Sequence, residues 1–482
     1  MNRSTAESGR TSRLFACFGY DALLMLLIAL VLLLILSISF EKQFDHDEFE
    51  HIHSAWYISH GAVPYSDFFQ HHNPLLWIVM IPFLVLFGET VQTPVIIRFF
   101  MLAQLMGIAY MTYKLATAFG RSRESGLWAV LLLLTMVMFV EKAVEIRPDV
   151  PQVLFGLISL YYLLAHFENS DRKTLLLSAF AGSISFLFLQ KHLFLLLVMA
   201  MALIYKFIRR RISLSEILIF AGGFLSLQLL LLIYLVVTGS LGDYYLTTVK
   251  LNLSQPQPFA GHANLTRSFY QNTMFWILGG GGALILLIRP RLPFNLKVVS
   301  FAGIVLVLTA FIAKQPHRQY FMGALPLLSI SGGYVLTELT DRMRSPKILR
   351  AVILMCLIAM PLIYLTFVKQ RTNGKQLAAI QYVLENSASN DCVYDGDIQF
   401  NLYRRDLHYF WYSVSKNKGL DNFNKITNGR YQDYNICALI LSKKPKIISR
   451  FNLNINECDL MSYYTQTEFK NIYIRRDGNA AF

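Results

Sequence analysis

Charged residues are scarce in this sequence. Only 15% of its 482 residues are Asp, Glu, Lys or Arg, whereas about 25% is usual in a soluble domain. Hydrophobic residues make up 55% of the chain, against roughly 45–50% in soluble proteins. This composition excludes a soluble enzyme, a disordered protein and a fibrous protein, and it is typical of a polytopic α-helical membrane protein.

Acidic residues are the scarcer of the two charge signs. The chain has 30 Asp and Glu against 44 Lys and Arg, which gives a net charge of +14. Such an excess can indicate a nucleic-acid-binding protein. In a membrane protein, however, Lys and Arg gather in cytoplasmic loops and meet anionic lipid. We therefore expect membrane lipids as partners and no nucleic acid.

Long apolar stretches recur from Tyr20 to Val368. A spanning helix needs about 20 such residues, and on that basis we predict about eleven spans. They lie near residues 20–40, 94–118, 124–140, 150–167, 174–190, 192–208, 214–238, 271–288, 296–313, 319–337 and 348–368. The first stretch is too long for the apolar core of a signal peptide and lacks a cleavage site, so we expect it to be retained.

A further apolar stretch, residues 74–87, is too short for a span and contains two prolines. With eleven spans and a cytoplasmic N-terminus, the inside loops hold more than twice as many Lys and Arg residues as the outside loops. If 74–87 also crossed, this bias would be reversed, against the positive-inside rule. We therefore predict an interfacial helix there, within a first external loop 41–93.

The composition changes after Val368. We predict three segments: a cytoplasmic N-terminus 1–19, a transmembrane domain 20–368 and a small periplasmic α/β domain 369–482. In the last segment a helix is expected near 374–386 and strands at 392–394, 436–441 and 471–474. Cys392, Cys437 and Cys458 lie in this predicted oxidising compartment, where one disulfide can form, with its pairing open.

The first external loop begins with a dense cluster of polar residues at 45–53, which holds four carboxylates and three imidazoles. Three interpretations are open. The cluster is a solvated loop, or it binds a divalent metal, because carboxylates and imidazoles suit such ions, with further histidines at His60, His71 and His72. Alternatively, one carboxylate is a general base at the membrane surface.

Positively charged residues interrupt the apolar stretches at the same predicted face of the membrane as this loop. Arg147 precedes Pro148 and Asp149 at a span boundary, Lys191 stands between two short spans, and Lys314, His317 and Arg318 form a third group. The first of these segments also has a plain structural explanation, in which Asp149 caps a helix and Arg147 snorkels to the membrane surface. Together the cations of the three segments suit an anion at the outer face, such as a lipid-linked phosphate.

Several of these segments resemble the GT-C superfamily of glycosyltransferases, and most closely glycosyltransferase family 39. That family includes protein O-mannosyltransferases, aminoarabinose lipid A transferases and Rgt-type relatives. The resemblance rests on Asp47-Glu48-Phe49-Glu50-His51, Gly61-Ala62-Val63-Pro64-Tyr65, Asp67-Phe68-Phe69, His71-His72-Asn73-Pro74, Arg147-Pro148-Asp149, Lys191, and Lys314 to Tyr320 with Pro326. Asp45 and His46 precede the first motif, so Asp45 competes with Asp47 as the base.

The resemblance implies a membrane glycosyltransferase that moves a sugar from a polyprenyl-phosphate donor to an acceptor hydroxyl, with inversion, at the periplasmic face of a bacterial inner membrane. The acceptor would be a glycolipid such as lipid A, an envelope glycan or a protein, and a divalent metal is possible as a cofactor. The implied catalytic residues are Asp47, Glu48 and Asp149. The donor phosphate would be bound by Arg147, Lys191, Lys314, His317 and Arg318. The acceptor or sugar side would be lined by Tyr65, His71 and His72.

Two other classes remain open at this point. A transporter or flippase of lipid-linked sugars would use the same charges as a gate, and it should carry ionisable residues near span centres. Arg98 is the main candidate of that kind, and it lies near the end of a predicted span. A polysaccharide polymerase would also hold an external basic cluster.

Overall fold

The computed structural model describes most of the chain. The described residues are 20–120, 122–254, 261–312, 317–343, 346–368, 371–395, 399–409, 419–430, 435–449, 458, 460 and 462–476. The predicted cytoplasmic N-terminus, residues 1–19, and Lys314 lie outside them.

Most of the described residues are helical. Up to Val237 the helices are Tyr20–Glu41 (α1), His46–Ser59 (α2), Leu75–Phe87 (α3), Gln92–Gly120 (α4), Arg123–Leu134 (α5), Val137–Ala143 (α6), Asp149–Asn169 (α7), Arg172–Phe188 (α8), His192–Ile208 (α9) and Leu214–Val237 (α10). Next come Leu241–Tyr244 (α11), a π-helix Tyr245–Lys250, Leu251–Ser254 (α12), Gly261–Gln271 (α13) and Thr273–Ile288 (α14), which contains a π turn. The last helices are Phe294–Ile312 (α15), the 3-10 helix Arg318–Phe321, Ala324–Arg342 (α16), Pro346–Val368 (α17), Gly374–Glu385 (α18), Gly419–Ile426 (α19) and Ile436–Lys443 (α20).

Not every predicted span is a straight, full-length helix. Within the described ranges, five helices are long and apolar enough to cross a membrane: α1, α4, α7, α10 and α15. Two bent pairs raise this number to seven: α5 with α6, bent by 73°, and α13 with α14, bent by 104°. The other predicted spans form α8, α9, α16 and α17, of which α8 and α9 have only 17 residues. The predicted polytopic helical fold is confirmed.

Small residues let the central helices approach closely. A Cβ atom added to Gly333 of α16 would lie 2.5 Å from the carbonyl oxygen of Ser125 in α5. A Cβ atom on Gly332 would lie 3.1 Å from the Cα atom of Gly279 in α14. Such backbone contact is the usual basis of helix packing in lipid, where apolar burial alone gives little gain. The helices around α16 therefore form the packed centre of the bundle.

Helix α3 has the form expected of a surface helix. Its 13 residues would extend only about 20 Å, and Pro82 lies inside it. One side is buried through Leu76 and Trp77, whereas Val85 and Leu86 are about three-quarters exposed. An apolar face left open beside the bundle is consistent with contact between α3 and lipid.

The C-terminal region forms a small α/β unit. Its strands are Val393–Tyr394 (β1), Ile447–Ser449 (β2), Tyr464–Gln466 (β3) and Ile472–Arg475 (β4), in the sheet order β1-β2-β4-β3. Strands β1 and β2 are parallel, and the other two pairs are antiparallel. The predicted α/β character is confirmed.

One predicted strand in this unit is wrong. Residues 436–441 belong to helix α20, because the Asn435 side chain caps it by accepting a hydrogen bond from the Ala438 amide at 3.1 Å. Among the three nearby cysteines, Cys437 is bonded to Cys458, and Cys392 is a free thiol. The disulfide links α20 to the segment before β3.

This C-terminal unit packs on the loop 41–93. Gln376 exchanges two hydrogen bonds with the backbone of Phe44, at 2.8 and 3.0 Å. Farther along, His53 pairs with Asp406 at 2.7 Å, and both side chains are almost fully buried. The unit therefore holds α2, the helix that follows α1 and carries the acidic cluster.

Candidate active site

A capping box orients the start of α2. Asp45 is the N-cap residue and accepts a hydrogen bond from the Asp47 amide at 3.2 Å, while Glu48 accepts one from the Asp45 amide at 2.9 Å. Two backbone donors that a helix start leaves free are thus satisfied. Asp47 lies in the first turn, where the helix dipole favours a negative charge.

Glu48 is fixed by Arg98 of α4. The carboxylate is fully buried and accepts two hydrogen bonds from the guanidinium, at 2.6 and 2.8 Å. It also accepts the Ile146 amide at 3.0 Å, and the guanidinium lies 3.6 Å from the centre of the Phe44 ring. Glu48 therefore joins α2 to α4 and to the segment before α7, and it has no face open to a substrate.

Asp47 forms the open end of a chain of ion pairs. Its Oδ2 atom accepts from Nη1 of Arg147 at 2.5 Å, and its Oδ1 atom is 2.9 Å from Nε2 of His46. About a fifth of the side chain is exposed. Burial alone would raise the pKa of Asp47, but Arg147 and His46 outweigh burial and hold this pKa well below its usual range. Asp47 is therefore ionised at neutral pH.

Arg147 continues the chain toward Lys191. Its Nε atom is 3.6 Å from Oδ2 of Asp149, and the other Asp149 oxygen accepts from Lys191 Nζ at 2.9 Å. The Lys191 ammonium lies 3.7 Å from the centre of the Tyr320 ring. Four side chains from α2, the α6–α7 segment, α7 and the start of α9 thus meet as Asp47–Arg147–Asp149–Lys191.

A second acid–base group flanks this chain, and it contains residues that the sequence reasoning did not single out. Glu145 pairs with Lys42, with Lys142 at 2.9 Å and with Arg147 at 3.5 Å. Lys142 also pairs with Asp45 at 3.1 Å. The signal that could have found Glu145 is the alternation of acidic and basic residues from 141 to 147 at the end of an apolar stretch.

The third predicted cation group lies on the edge of the site. Arg318 pairs with Glu141 at 2.5 Å, so it joins the 3-10 helix to α6. Burial and then the positive charge of Lys191 lower the pKa of His317. Lys314 lies outside the described residues.

The three residues predicted to line the acceptor side occupy different positions. Tyr65 is fully buried, has a φ of 72°, and donates its hydroxyl to the His72 carbonyl at 2.8 Å. Tyr65 therefore packs inside the loop and stabilises its conformation. His71 and His72 are partly buried, with ring centres 4.0 Å apart, and both lie toward α2. The Gln190 side chain holds this segment by donating to the His71 carbonyl at 3.1 Å.

Among the residues that the structure describes, two groups have the spacing to hold a metal ion. Asp45, His46 and Asp47 form one, and Glu50, His71 and His72 form the other; within each group the ligand atoms lie within 4.8 Å of one another. Burial and then the negative charge of Asp47 raise the pKa of Glu50 to about 8. Both groups belong to the wall of the same site.

An apolar cleft opens beside Lys191. Its polar end is formed by Asp149, Lys191 and Tyr320, and its walls come from α7, α9 and α15. A second apolar hollow follows between the same two helices, α9 and α15, and extends to Tyr205 and Phe294. The two hollows mark a path along about 14 residues of α9, or roughly 20 Å.

Comparisons with known proteins show what the sequence and the fold are similar to. The family model for dolichyl-phosphate-mannose-protein mannosyltransferases matches residues 71–234, which is less than half of the chain. No curated protein matches the sequence.

Three solved structures share the fold. ArnT from Cupriavidus metallidurans bound to undecaprenyl phosphate aligns with a TM-score of 0.65 and 11% identity, over 95% of this chain and 98% of that chain. The same protein in the apo state gives 0.58 and 12%, over 79% and 84%. The apo oligosaccharyltransferase of Archaeoglobus fulgidus gives 0.51 and 11%, over 79% and 63%. The resemblance seen in the sequence is thus confirmed at the level of the fold, which this chain shares with ArnT and with the archaeal oligosaccharyltransferase.

Proposed function

We propose that this protein transfers a sugar from a polyprenyl-phosphate donor to an acceptor hydroxyl, with inversion at the anomeric carbon. The observation that carries this proposal is the ion-pair chain from Asp47 to Lys191 at the mouth of an apolar cleft. A carboxylate, two cations and an apolar cleft meet at that point. These are the parts that transfer from a lipid phosphate requires.

The donor phosphate is bound by Arg147 and Lys191, with His317 and Arg318 around it. Arg suits a phosphate because its guanidinium donates two parallel hydrogen bonds, and Lys adds a point charge. The lipid chain enters the cleft between α9 and α15, which begins beside Lys191. Undecaprenyl phosphate bound to the structurally similar ArnT supports a donor of this class.

Asp47 removes the proton from the acceptor hydroxyl as the acceptor oxygen attacks the anomeric carbon. The bond between that carbon and the phosphate oxygen breaks on the opposite side, and polyprenyl phosphate leaves as an anion. The leaving group needs positive charge rather than a proton. One carboxylate base is therefore enough, and Asp149 positions Lys191 and Arg147.

Donor binding also strengthens the base. In the structure Arg147 is paired with Asp47, and a carboxylate held at a low pKa is a weak proton acceptor. A donor phosphate competes for the same guanidinium, so it weakens the Arg147–Asp47 pair and raises the basicity of Asp47. The base becomes effective when the donor is in place.

We place the reaction at the periplasmic face of a bacterial inner membrane, with residues 20–368 as the catalytic membrane domain and 369–482 as a periplasmic domain. The distribution of Lys and Arg among the loops supports this orientation. The acceptor is an envelope molecule with a free hydroxyl: lipid A or another lipopolysaccharide component, a glycan or a protein. Tyr65, His71 and His72 belong to its side of the site.

Mass spectrometry of envelope glycolipids and periplasmic glycoproteins tests the proposal. A deletion strain is compared with strains restored by wild type, Asp47→Asn or Asp45→Asn. Asn is as good an N-cap as Asp, so Asp45→Asn is a matched control at the neighbouring carboxylate. We expect one sugar mass to be lost in the deletion and Asp47→Asn strains only.

Two other outcomes would count against parts of the proposal. Restoration by Asp47→Asn and loss with Asp45→Asn would make Asp45 the base. Unchanged envelope fractions, with polyprenyl-linked sugars redistributed across the membrane, would instead indicate a flippase.

A further inference from the structure

A buried carboxylate and two imidazoles converge on the inner side of α2. Glu50 lies one turn after Asp47, and His71 and His72 come from the loop before α3. One ligand atom from each of the three lies within 4.8 Å of the other two. His71 and His72 follow Glu50 by 21 and 22 positions in the sequence, so the fold of the loop brings them to Glu50.

Hydrogen bonding among the described residues leaves Glu50 and His72 incompletely satisfied. Only 3% of Glu50 is exposed, and among the described residues no Lys or Arg pairs with it. Its Oε1 atom accepts one hydrogen bond, from the neutral Gln70 amide at 3.0 Å. Next to it, Nδ1 of His72 is shielded from solvent and has no hydrogen-bond partner within the described ranges of the chain. Groups of this kind are expensive to bury unpaired.

A single divalent cation would satisfy these groups together. Two imidazole nitrogens and one carboxylate form a ligand set used by zinc, which leaves a fourth position open to water or substrate. Gln70 supports the carboxylate from behind, since its Nε2 atom also donates to Ser54 Oγ at 2.9 Å. Ligands held in this way by neighbouring hydrogen bonds are typical of metal sites.

The rival group at the start of α2 is less suited to a cation. Asp45 already pairs with Lys142 at 3.1 Å, and Asp47 pairs with Arg147 at 2.5 Å. A metal ion there would have to displace both cations. At Glu50 it would displace none among the described residues.

We propose that Glu50, His71 and His72 bind one zinc ion, which fastens the loop before α3 to helix α2 beside Asp47. The proposal goes beyond the proposed function, because it concerns binding of an ion and stands whether or not the protein transfers a sugar. The ion would fix the wall of the site that faces the acceptor.

Zinc content of the purified full-length protein tests this site. Wild type, Glu50→Gln, His72→Gln, His46→Ala and His60→Ala are incubated with zinc chloride, desalted and analysed by inductively coupled plasma mass spectrometry. His60 is the matched control, because it is about half exposed near the same helix and lies outside both groups. We expect about one zinc per chain in wild type, His46→Ala and His60→Ala, and at least a tenfold loss in the other two.

Cobalt substitution of the wild type gives a second measurement that does not depend on a variant's folding. Cobalt bound by two imidazoles and a carboxylate in a four-coordinate site shows strong visible absorption bands, which added zinc should remove. No zinc and no cobalt bands in wild type would overturn the proposal. Loss of zinc in His46→Ala with full retention in Glu50→Gln would also overturn it, and would assign the ion to the rival group.

Discussion

At the scale of single residues, the contacts of Glu48 indicate anchoring rather than chemistry. We predict that Glu48→Gln destabilises the protein by about 3–5 kcal/mol, because it leaves the charge of buried Arg98 without its partner. The matched control is Glu338→Gln. Glu338 pairs with Arg289 and Arg342 in a partly exposed position, where such a pair contributes roughly 0–1 kcal/mol. Denaturant unfolding of both variants in one detergent checks the difference, and equal stabilities would contradict it.

His46 gives the site a distinctive response to alkaline pH. Burial would lower the pKa of this imidazole, but its hydrogen bonds to Asp45 and Asp47 outweigh burial and raise the pKa to about 11. A folded pKa above the unfolded value of about 6.5 means that stability from this charge is complete below pH 6.5. It is lost progressively as the pH rises toward 11.

We therefore predict that wild type loses more thermal stability between pH 7 and pH 10 than His46→Gln does. The variant lacks the titrating charge, so its curve should be flatter over this range. Melting curves at matched ionic strength measure the difference. Parallel curves for the two proteins would show that His46 is not held as a cation.

The sequence made some of this site predictable. Asp47, Arg147, Asp149 and Lys191 stand at the ends of apolar stretches, where polar residues are conspicuous, and the structure brings all four into one ion-pair chain. The pairing of Glu48 with Arg98 was not predictable. The two residues are 50 positions apart, and no local pattern indicates which buried carboxylate meets which cation.

At the scale of helices, hydrogen bonds join the bend between α13 and α14 to the bend between α5 and α6. Asn272, at the bend between α13 and α14, accepts a hydrogen bond from the Val137 amide at 3.0 Å and donates to the Thr135 carbonyl at 2.9 Å. These are backbone groups exposed by the bend between α5 and α6. A broken helix in a membrane protein persists only where such groups find partners. This bend directs α6, with Glu141 and Lys142, toward the site.

We predict that Asn272→Ala lowers both stability and activity. Two buried backbone groups would lose their partners, at about 1–3 kcal/mol each, and α6 would shift. Asn295→Ala is the control, because Asn295 is also buried and bonds to the Leu164 carbonyl and Glu168, away from the site. Its stability should fall while the KM for donor stays near that of wild type. An unchanged KM in Asn272→Ala as well would show that the bend does not position the site.

The lengths of the apolar stretches predicted where the helices lie. They did not predict where a helix bends or breaks. The apolar stretches place the spans within a few residues, since a bilayer requires a fixed length. Neither bend was predicted, because the Asn272 side chain that stabilises the first one lies far along the chain from residue 136. The apolar residues 436–441 suggested a strand. They form helix α20 instead, because the Asn435 side chain caps the start of that helix and the short apolar segment packs in this form.

At the scale of the whole molecule, the C-terminal unit holds the loop 41–93 in place. Asp406 accepts from the Tyr57 hydroxyl at 3.0 Å and pairs with His53 at 2.7 Å, while Gln376 brackets Phe44 just before the acidic cluster. Composition separated this unit from the bundle at about Val368, but sequence could not indicate where it docks. The docking makes α2 a bridge between the bundle and the C-terminal unit.

We predict that Asp406→Asn loosens α2 without unfolding the bundle. Removing the carboxylate takes away the charged partner of His53 in a buried interface, where such a change destabilises locally by several kcal/mol. Hydrogen–deuterium exchange should therefore rise in residues 46–60 while protection in α5 and α16 is unchanged. Asp391→Asn serves as the control, since Asp391 caps its own turn in the same unit by accepting from the Ala388 amide. If exchange in 46–60 were equal in both variants, the bundle alone would set the position of Asp47, and the C-terminal unit would have no role in aligning the proposed base with the proposed donor.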